Sequence, residues 1–141
     1  MLFPKKVKHR KWQTRRRNPD RIPAATRGVK IAFGSYALKT AEYGRITSNQ
    51  IEASRRVMRR AMGKNGSIWV RIFPDRPYTA KAAEVGMGKG KGDPKGFVAE
   101  VFAGQVLFEV DGLTDEVARE VLRKGGAKMS VKTKIASRAT K

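Results

Sequence analysis

At 141 residues the chain has the size of one domain with a modest core. Its 32 Lys and Arg stand against only 12 Asp and Glu, and the resulting net charge of +20 is self-repelling unless a polyanion neutralises it. The absence of cysteine excludes a disulfide framework and thiol redox chemistry, no apolar run approaches a membrane span, and no secretory signal is expected because the apolar segment in the opening MLFPKK is too short.

Residues 1–28 are predicted to form a basic, extended N-terminal arm. Between Met1 and Lys30 there are eleven Lys or Arg and one acid, Asp20. Lys5, Lys6, Lys8, Arg10 and Lys11 precede Trp12, and Arg15, Arg16 and Arg17 follow it. Pro4, Pro19 and Pro23 interrupt any helix and no apolar period is present, so the segment cannot bury enough surface to fold alone. We expect it to order on a phosphate surface, with Trp12 and His9 stacking on unpaired bases. His9 is the single histidine and has no second ligand candidate, so no metal site is expected.

Residues 29–141 are predicted to form an α+β domain. The run VKIAFGSYALKT (residues 29–40) reads as a strand bent or bulged at Gly34. Thr47 with Gln50 three residues on is a capping-box pattern, and the helix it opens is predicted to run to Met62 and close at Gly63. Ile51, Val57, Met58, Ala61 and Met62 share one face with Ser54, while Arg55, Arg56, Arg59 and Arg60 crowd the other. Only Glu52 is near, and we expect no acid to relieve this repulsion, so the four arginines are predicted to meet an RNA backbone.

SIWVRIF (residues 67–73) alternates as a strand, with Ile68, Val70 and Ile72 on one side and Trp69, Arg71 and Phe73 on the other. Pro74, Asp75 and Pro77 end it, and a short strand over residues 78–81 leads into a loop at 82–96. There Gly86, Gly88, Gly90 and Gly92 alternate with Lys89 and Lys91, and Lys95 and Gly96 follow. Bare backbone brings N–H groups close to an anion while the lysines supply charge, although a flexible surface linker has the same composition. Residues 97–102 and 106–110 are predicted to pair as a hairpin turning at Ala103-Gly104. Thr114 is the expected N-cap of a second helix, with Asp115 and Glu116 at its positive end and Val117, Val121 and Leu122 as its buried stripe, ending at Arg123, Lys124 and Gly125. A last strand over residues 130–137 exposes Lys132, Lys134 and Arg138, within a C-terminal end that has seven basic residues and no acid from Arg123 onward.

Catalysis finds little support in this inventory. One His and no Cys exclude a Ser-His-Asp triad, a Cys/His zinc site and a His-Glu-x-x-His site. No Gly-Lys is followed by Ser or Thr in Walker order, and no Gly-x-Gly-x-x-Gly follows a strand. Six of the twelve acids lie between Glu100 and Glu120, which points to a face turned away from the polyanion.

Four runs taken together carry a resemblance: RITSNQIEASRR (residues 45–56), KNGSIWVRIFPDRP (residues 64–77), MGKGKG (residues 87–92) and GQVLFEVDG (residues 104–112). With the opening Met1, Leu2, Pro4 and Lys5, they resemble, in order and over nearly the whole chain, the bacterial large-ribosomal-subunit protein sixteen family, related to the archaeal and eukaryotic L ten-e proteins. The resemblance implies an α+β fold of the hammerhead type, a mixed or antiparallel sheet with two helices. It also implies binding to large-subunit ribosomal RNA, late entry into assembly, and a place near the peptidyl transferase region beside A- and P-site tRNA and neighbouring large-subunit proteins. Met87, Gly88, Lys89, Gly90 and Lys91 match the family's tRNA-proximal loop tip. The family usually has Arg, hydroxylated in some bacteria, where this chain has Gly86.

The expectation is therefore a non-catalytic structural constituent of a bacterial-type cytoplasmic ribosome, or of an organellar one, with no cofactor, membrane or small-molecule substrate. Lys5 to Arg17, the Arg55–Arg60 helix face, Lys132 and Lys134 would hold rRNA. The alternatives are a free-standing nucleic-acid chaperone and, more weakly, a cationic protein on anionic membranes, for which the Arg helix lacks bulky apolar anchors.

Overall fold

The structure, a computed structural model, describes residues 1–138; Lys141, one of the seven C-terminal cations, lies outside the described residues. The elements are β1 (Tyr36–Thr40), β2 (Gly44–Thr47), α1 (Ser48–Met62), β3 (Ser67–Val70), β4 (Arg76–Ala80), β5 (Asp93–Val101), β6 (Val106–Asp111), α2 (Asp115–Gly126) and β7 (Thr133–Ser137), with one 3-10 turn at Pro19–Arg21 before them. They form an α+β fold with two helices and two sheets, ordered β3-β6-β1-β7 and β2-β5-β4, in which neighbouring strands run antiparallel.

Both helices form because local signals agree with the apolar spacing. In α1 the Thr47 hydroxyl accepts from the Gln50 N–H (3.2 Å) and the Gln50 side chain accepts from the Thr47 N–H (3.1 Å), the expected capping box. Ile51, Ser54, Met58 and Met62 are buried along one stripe, and in α2 Ala118, Val121, Leu122 and Gly125 are. The stripes meet where the Ser54 hydroxyl donates to the Gly125 carbonyl at 2.8 Å. No side chain fits at Gly125, because a Cβ there would run into Met58. With α2 against β1 and β7 and α1 against β2 and β5, the helices close a core around Leu38, Ile46, Phe108 and Val110.

Several expectations about local structure need correction. Thr114 precedes α2 as predicted but makes no side-chain cap bond, and Val117 is exposed, with Ala118 taking its place in the stripe. β3 stops at Val70, though Ile72 is buried and Phe73 exposed as the alternation requires. β4 starts at Arg76 and admits Pro77 because it is an edge strand. β5 starts at Asp93, opposite Ala80, so the loop ends at residue 92 and not 96; β7 starts only at Thr133.

The predicted hairpin does not exist. β5 pairs with β2 and β4 in one sheet, whereas β6 pairs with β1 and β3 in the other. At the corner the Gln105 N–H bonds to the Phe102 carbonyl (3.1 Å), and the Gly104 N–H is taken by the Thr40 carbonyl (2.7 Å), handing the chain to β1.

Nor is residues 29–40 one strand. Residues 32–34 leave the ladder because their amides have another acceptor, whereas the Ser35 N–H still bonds to the Val110 carbonyl at 3.0 Å. The fully buried Glu109 carboxylate takes the N–H groups of Ala32 (2.8 Å), Phe33 (2.7 Å) and Gly34 (3.1 Å) and pairs with Arg71 at 2.6 Å. Burial pushes this carboxyl up, but the three amides and Arg71 outweigh it and hold it below the ordinary range. Gly34 is a point of close approach, since a Cβ there would stand 2.5 Å from the Val110 carbonyl oxygen. Gly34→Ala is expected to destabilise the fold by about 1–3 kcal/mol through this overlap with backbone, read as a lower urea midpoint at unchanged m-value.

Candidate nucleic-acid interface

The distribution of ion pairs separates structural cations from free ones. Glu52 accepts from both Arg55 (2.6 Å) and Arg56 (3.0 Å), so the expectation that no acid relieves the helix arginines is wrong. The spacings are i,i+3 and i,i+4, which place all three side chains on one ridge. Hydrogen bonding to Arg55, then to Arg56, holds the Glu52 carboxyl down to about 2 against the opposing effect of burial. Arg59 donates only to the Gly66 carbonyl (3.1 Å), and Arg60 is exposed; among the described residues neither has a carboxylate partner.

A second cluster lies on the three-stranded sheet and escaped sequence reasoning. Arg45 of β2 stands opposite Glu100 of β5, and Arg76 of β4 reaches the same carboxylate at 3.2 Å. Arg17 of the arm comes to 3.6 Å of it, and Arg45 to 3.7 Å. Glu100 Oε2 is buried without an aligned hydrogen bond, so these contacts are ion pairs of poor geometry around one carboxylate. The available signal was a lone acid in the otherwise apolar run FVAEV.

Those arginines also seat the arm. Arg76 donates to the Gln13 (2.6 Å) and Thr14 (3.0 Å) carbonyls and lies 5.5 Å over the Trp12 ring, and Arg45 donates to the Thr14 carbonyl (2.8 Å). Further along, Ser48 donates to the Leu2 carbonyl, the Ala25 N–H to Ala103 and the Val106 N–H to Gly28. The arm is thus gripped mainly by its main chain. Lys5, Lys6, Lys8, Arg10, Lys11, Arg15 and Arg16 are exposed and, among the described residues, have no carboxylate partner.

Residues 81–92 connect β4 to β5. Met87 is fully exposed, and a Cβ at Gly86, Gly88 or Gly90 would meet nothing within 4 Å. Gly88, Lys89 and Gly90 all have positive φ (99°, 59° and 97°), a turn that glycine on both sides of Lys89 permits. Lys81 donates across the loop to the Gly88 carbonyl, and Lys91 to the Trp12 carbonyl, so loop and arm touch. Lys134 is exposed on β7, an edge strand of the other sheet, and Lys132 is exposed just before it, its N–H bonded to the Glu42 carboxylate at 3.0 Å.

Among the described residues no group of His, Cys, Asp and Glu is placed to hold a metal ion, and no helix is long and apolar enough to cross a membrane. The arrangement offers fixed guanidinium and ammonium groups with few acids beside them, a surface suited to phosphates. The sequence model of one family, Ribosomal protein L16p/L10e, matches residues 4–136, which takes in the arm, the loop, both sheets and both helices. The chain therefore belongs to the Ribosomal protein L16p/L10e family and is an RNA-binding constituent of the large ribosomal subunit, acting in translation.

Proposed function

We propose that the protein anchors on large-subunit rRNA through its arm, the Arg59–Arg60 end of α1, Lys132 and Lys134, and that the tip Met87 to Lys91 supports tRNA positioning near the peptidyl transferase region. In this reading the protein works by binding, on a bacterial-type cytoplasmic ribosome, beside A- and P-site tRNA and neighbouring proteins, and chemistry is left to the RNA. One observation carries it: Glu52, Glu100 and Glu109 each take arginines, while Lys5, Lys6, Lys8, Arg10, Lys11, Arg15 and Arg16 of the arm and Lys89 of the loop tip have no carboxylate partner among the described residues. Such a surface gains most from counterion release on a polyanion.

The salt dependence of rRNA binding tests the anchors. Each lost phosphate contact lowers the slope of log K against log salt by about 0.7–0.9. Arg59→Ala with Arg60→Ala is expected to flatten the slope by nearly two such steps, and Arg55→Ala with Arg56→Ala by less, since Glu52 already offsets that pair. An unchanged slope in the first variant would take α1 out of the interface. Lys89→Ala with Lys91→Ala is expected to spare incorporation into large subunits and slow tRNA accommodation. Ribosomes carrying that variant and translating at the normal rate would remove the loop from this role.

A further inference from the structure

Between the arm and the start of β2 lies a cleft of about 740 Å³. Its volume falls within the range of small-ligand sites, roughly 300–1,000 Å³. Pro19, Ile22, Pro23 and Tyr43 supply apolar surface, and Arg15 and Arg16 line it from the arm. Arg17 extends the Tyr43 wall, with its guanidinium 6.0 Å from the Tyr43 ring and 5.1 Å from the Phe102 ring. Arg17 and Arg45 are already directed to Glu100, but Arg15 and Arg16 make no hydrogen bond or ion pair among the described residues. The one acid lining the cleft, Glu42, accepts the Lys132 N–H at 3.0 Å and is outnumbered there by Arg15, Arg16, Arg17 and Arg45. Arg15 holds a left-handed backbone (φ 50°), an uncommon state for a residue with a side chain, at the point where the arm turns along the cleft.

Apolar and aromatic surface beside two uncommitted guanidinium groups matches a single chemical class. We propose that the cleft receives one unstacked ribonucleotide of the rRNA, its base against Tyr43 and the Arg17 plane and its phosphate on Arg15 and Arg16. A base paired inside a duplex cannot reach this surface, whereas a bulged or looped nucleotide can, and aromatic rings and guanidinium planes are the usual platforms for such bases. The arm then does more than add charge. Once seated by Arg45 and Arg76 it is one wall of a site that selects unpaired RNA.

This rests on the rRNA reading above, and the experiment separates the two. The full chain is bound to large-subunit rRNA, irradiated at 254 nm and digested. A nucleotide adduct is expected on Tyr43 or within residues 14–17. Stacking carries no charge, so Tyr43→Ala should weaken rRNA binding about tenfold at an unchanged salt slope, whereas Arg15→Ala with Arg16→Ala should weaken binding and flatten the slope. Tyr43→Leu keeps an apolar body against Phe102 and guards against loss of fold, and Tyr43→Phe should bind as the parent does. Absence of the adduct together with parental affinity in Tyr43→Leu overturns the cleft and leaves rRNA binding standing. A parent chain with no preference for rRNA over arbitrary polyanions overturns both.

Discussion

Glu109→Gln is expected to cost the fold about 3–5 kcal/mol, the scale for breaking a buried ion pair from one side. The carboxylate holds residues 32–34 and Arg71 at once, and Gln offers one acceptor oxygen and an NH₂ that would face donors. Arg71 would then keep its charge over the Phe33 ring with no counter-ion. Arg71→Met should cost less, because three amides still satisfy the carboxylate. Denaturant midpoints of the two variants measure the difference, and near-parental stability of Glu109→Gln would show that the 32–34 segment is not held this way. The pH dependence has a definite sign. The Glu109 carboxyl lies lower in the folded chain than its ordinary 4.5, so its contribution is fully present above about pH 4.5 and is lost as the pH falls through the folded value. Glu52 and Asp111 are shifted the same way, so the variant should show a shallower acid loss than the parent but not a flat one.

What was legible in the sequence was mostly what is decided within a few residues. The start and end of α1 and its buried stripe were readable because Thr47, Gln50 and the 51–54–58–62 spacing all act within one helix. The family runs were readable for a different reason, being short strings that do not depend on pairing. Strand partnership was not. Residues 97–102 and 106–110 look like two arms of a hairpin in any local window, and only Thr40, some sixty residues earlier, captures the corner and sends β6 to another sheet. The break at residues 32–34 is equally non-local, since it depends on an acid at 109. The Glu52 pairs are another matter: their spacing was in plain view, and the relief it gives Arg55 and Arg56 was undervalued. The seating of the arm left almost no trace, because Arg76 and Arg45 grip backbone carbonyls that every residue carries.

That grip sets the other large effect. Arg76→Met is expected to free the segment around Trp12 to Arg17, since it removes two charge-assisted hydrogen bonds, the stacking over Trp12 and the nearest partner of Glu100. Bonds to charged groups contribute roughly 1.5–3 kcal/mol each. Arg45 and Arg17 remain near Glu100 and recover part of this, leaving a local loss of about 3 kcal/mol. The body should keep its fold, as the core around Phe108 and Leu38 does not include Arg76. Two readouts follow. Tryptic cleavage after Arg15, Arg16 and Arg17 should accelerate by about a hundredfold, the factor that this loss implies when opening is fast. Affinity for rRNA should fall because the arm must be ordered during binding, yet the salt slope should persist, since every phosphate-facing cation is still present. An arm that stays resistant to trypsin in Arg76→Met would mean that Arg45, Lys91, Arg17 and the Ser48, Ala103 and Val106 contacts suffice to hold it, and that Arg76 is not its clamp.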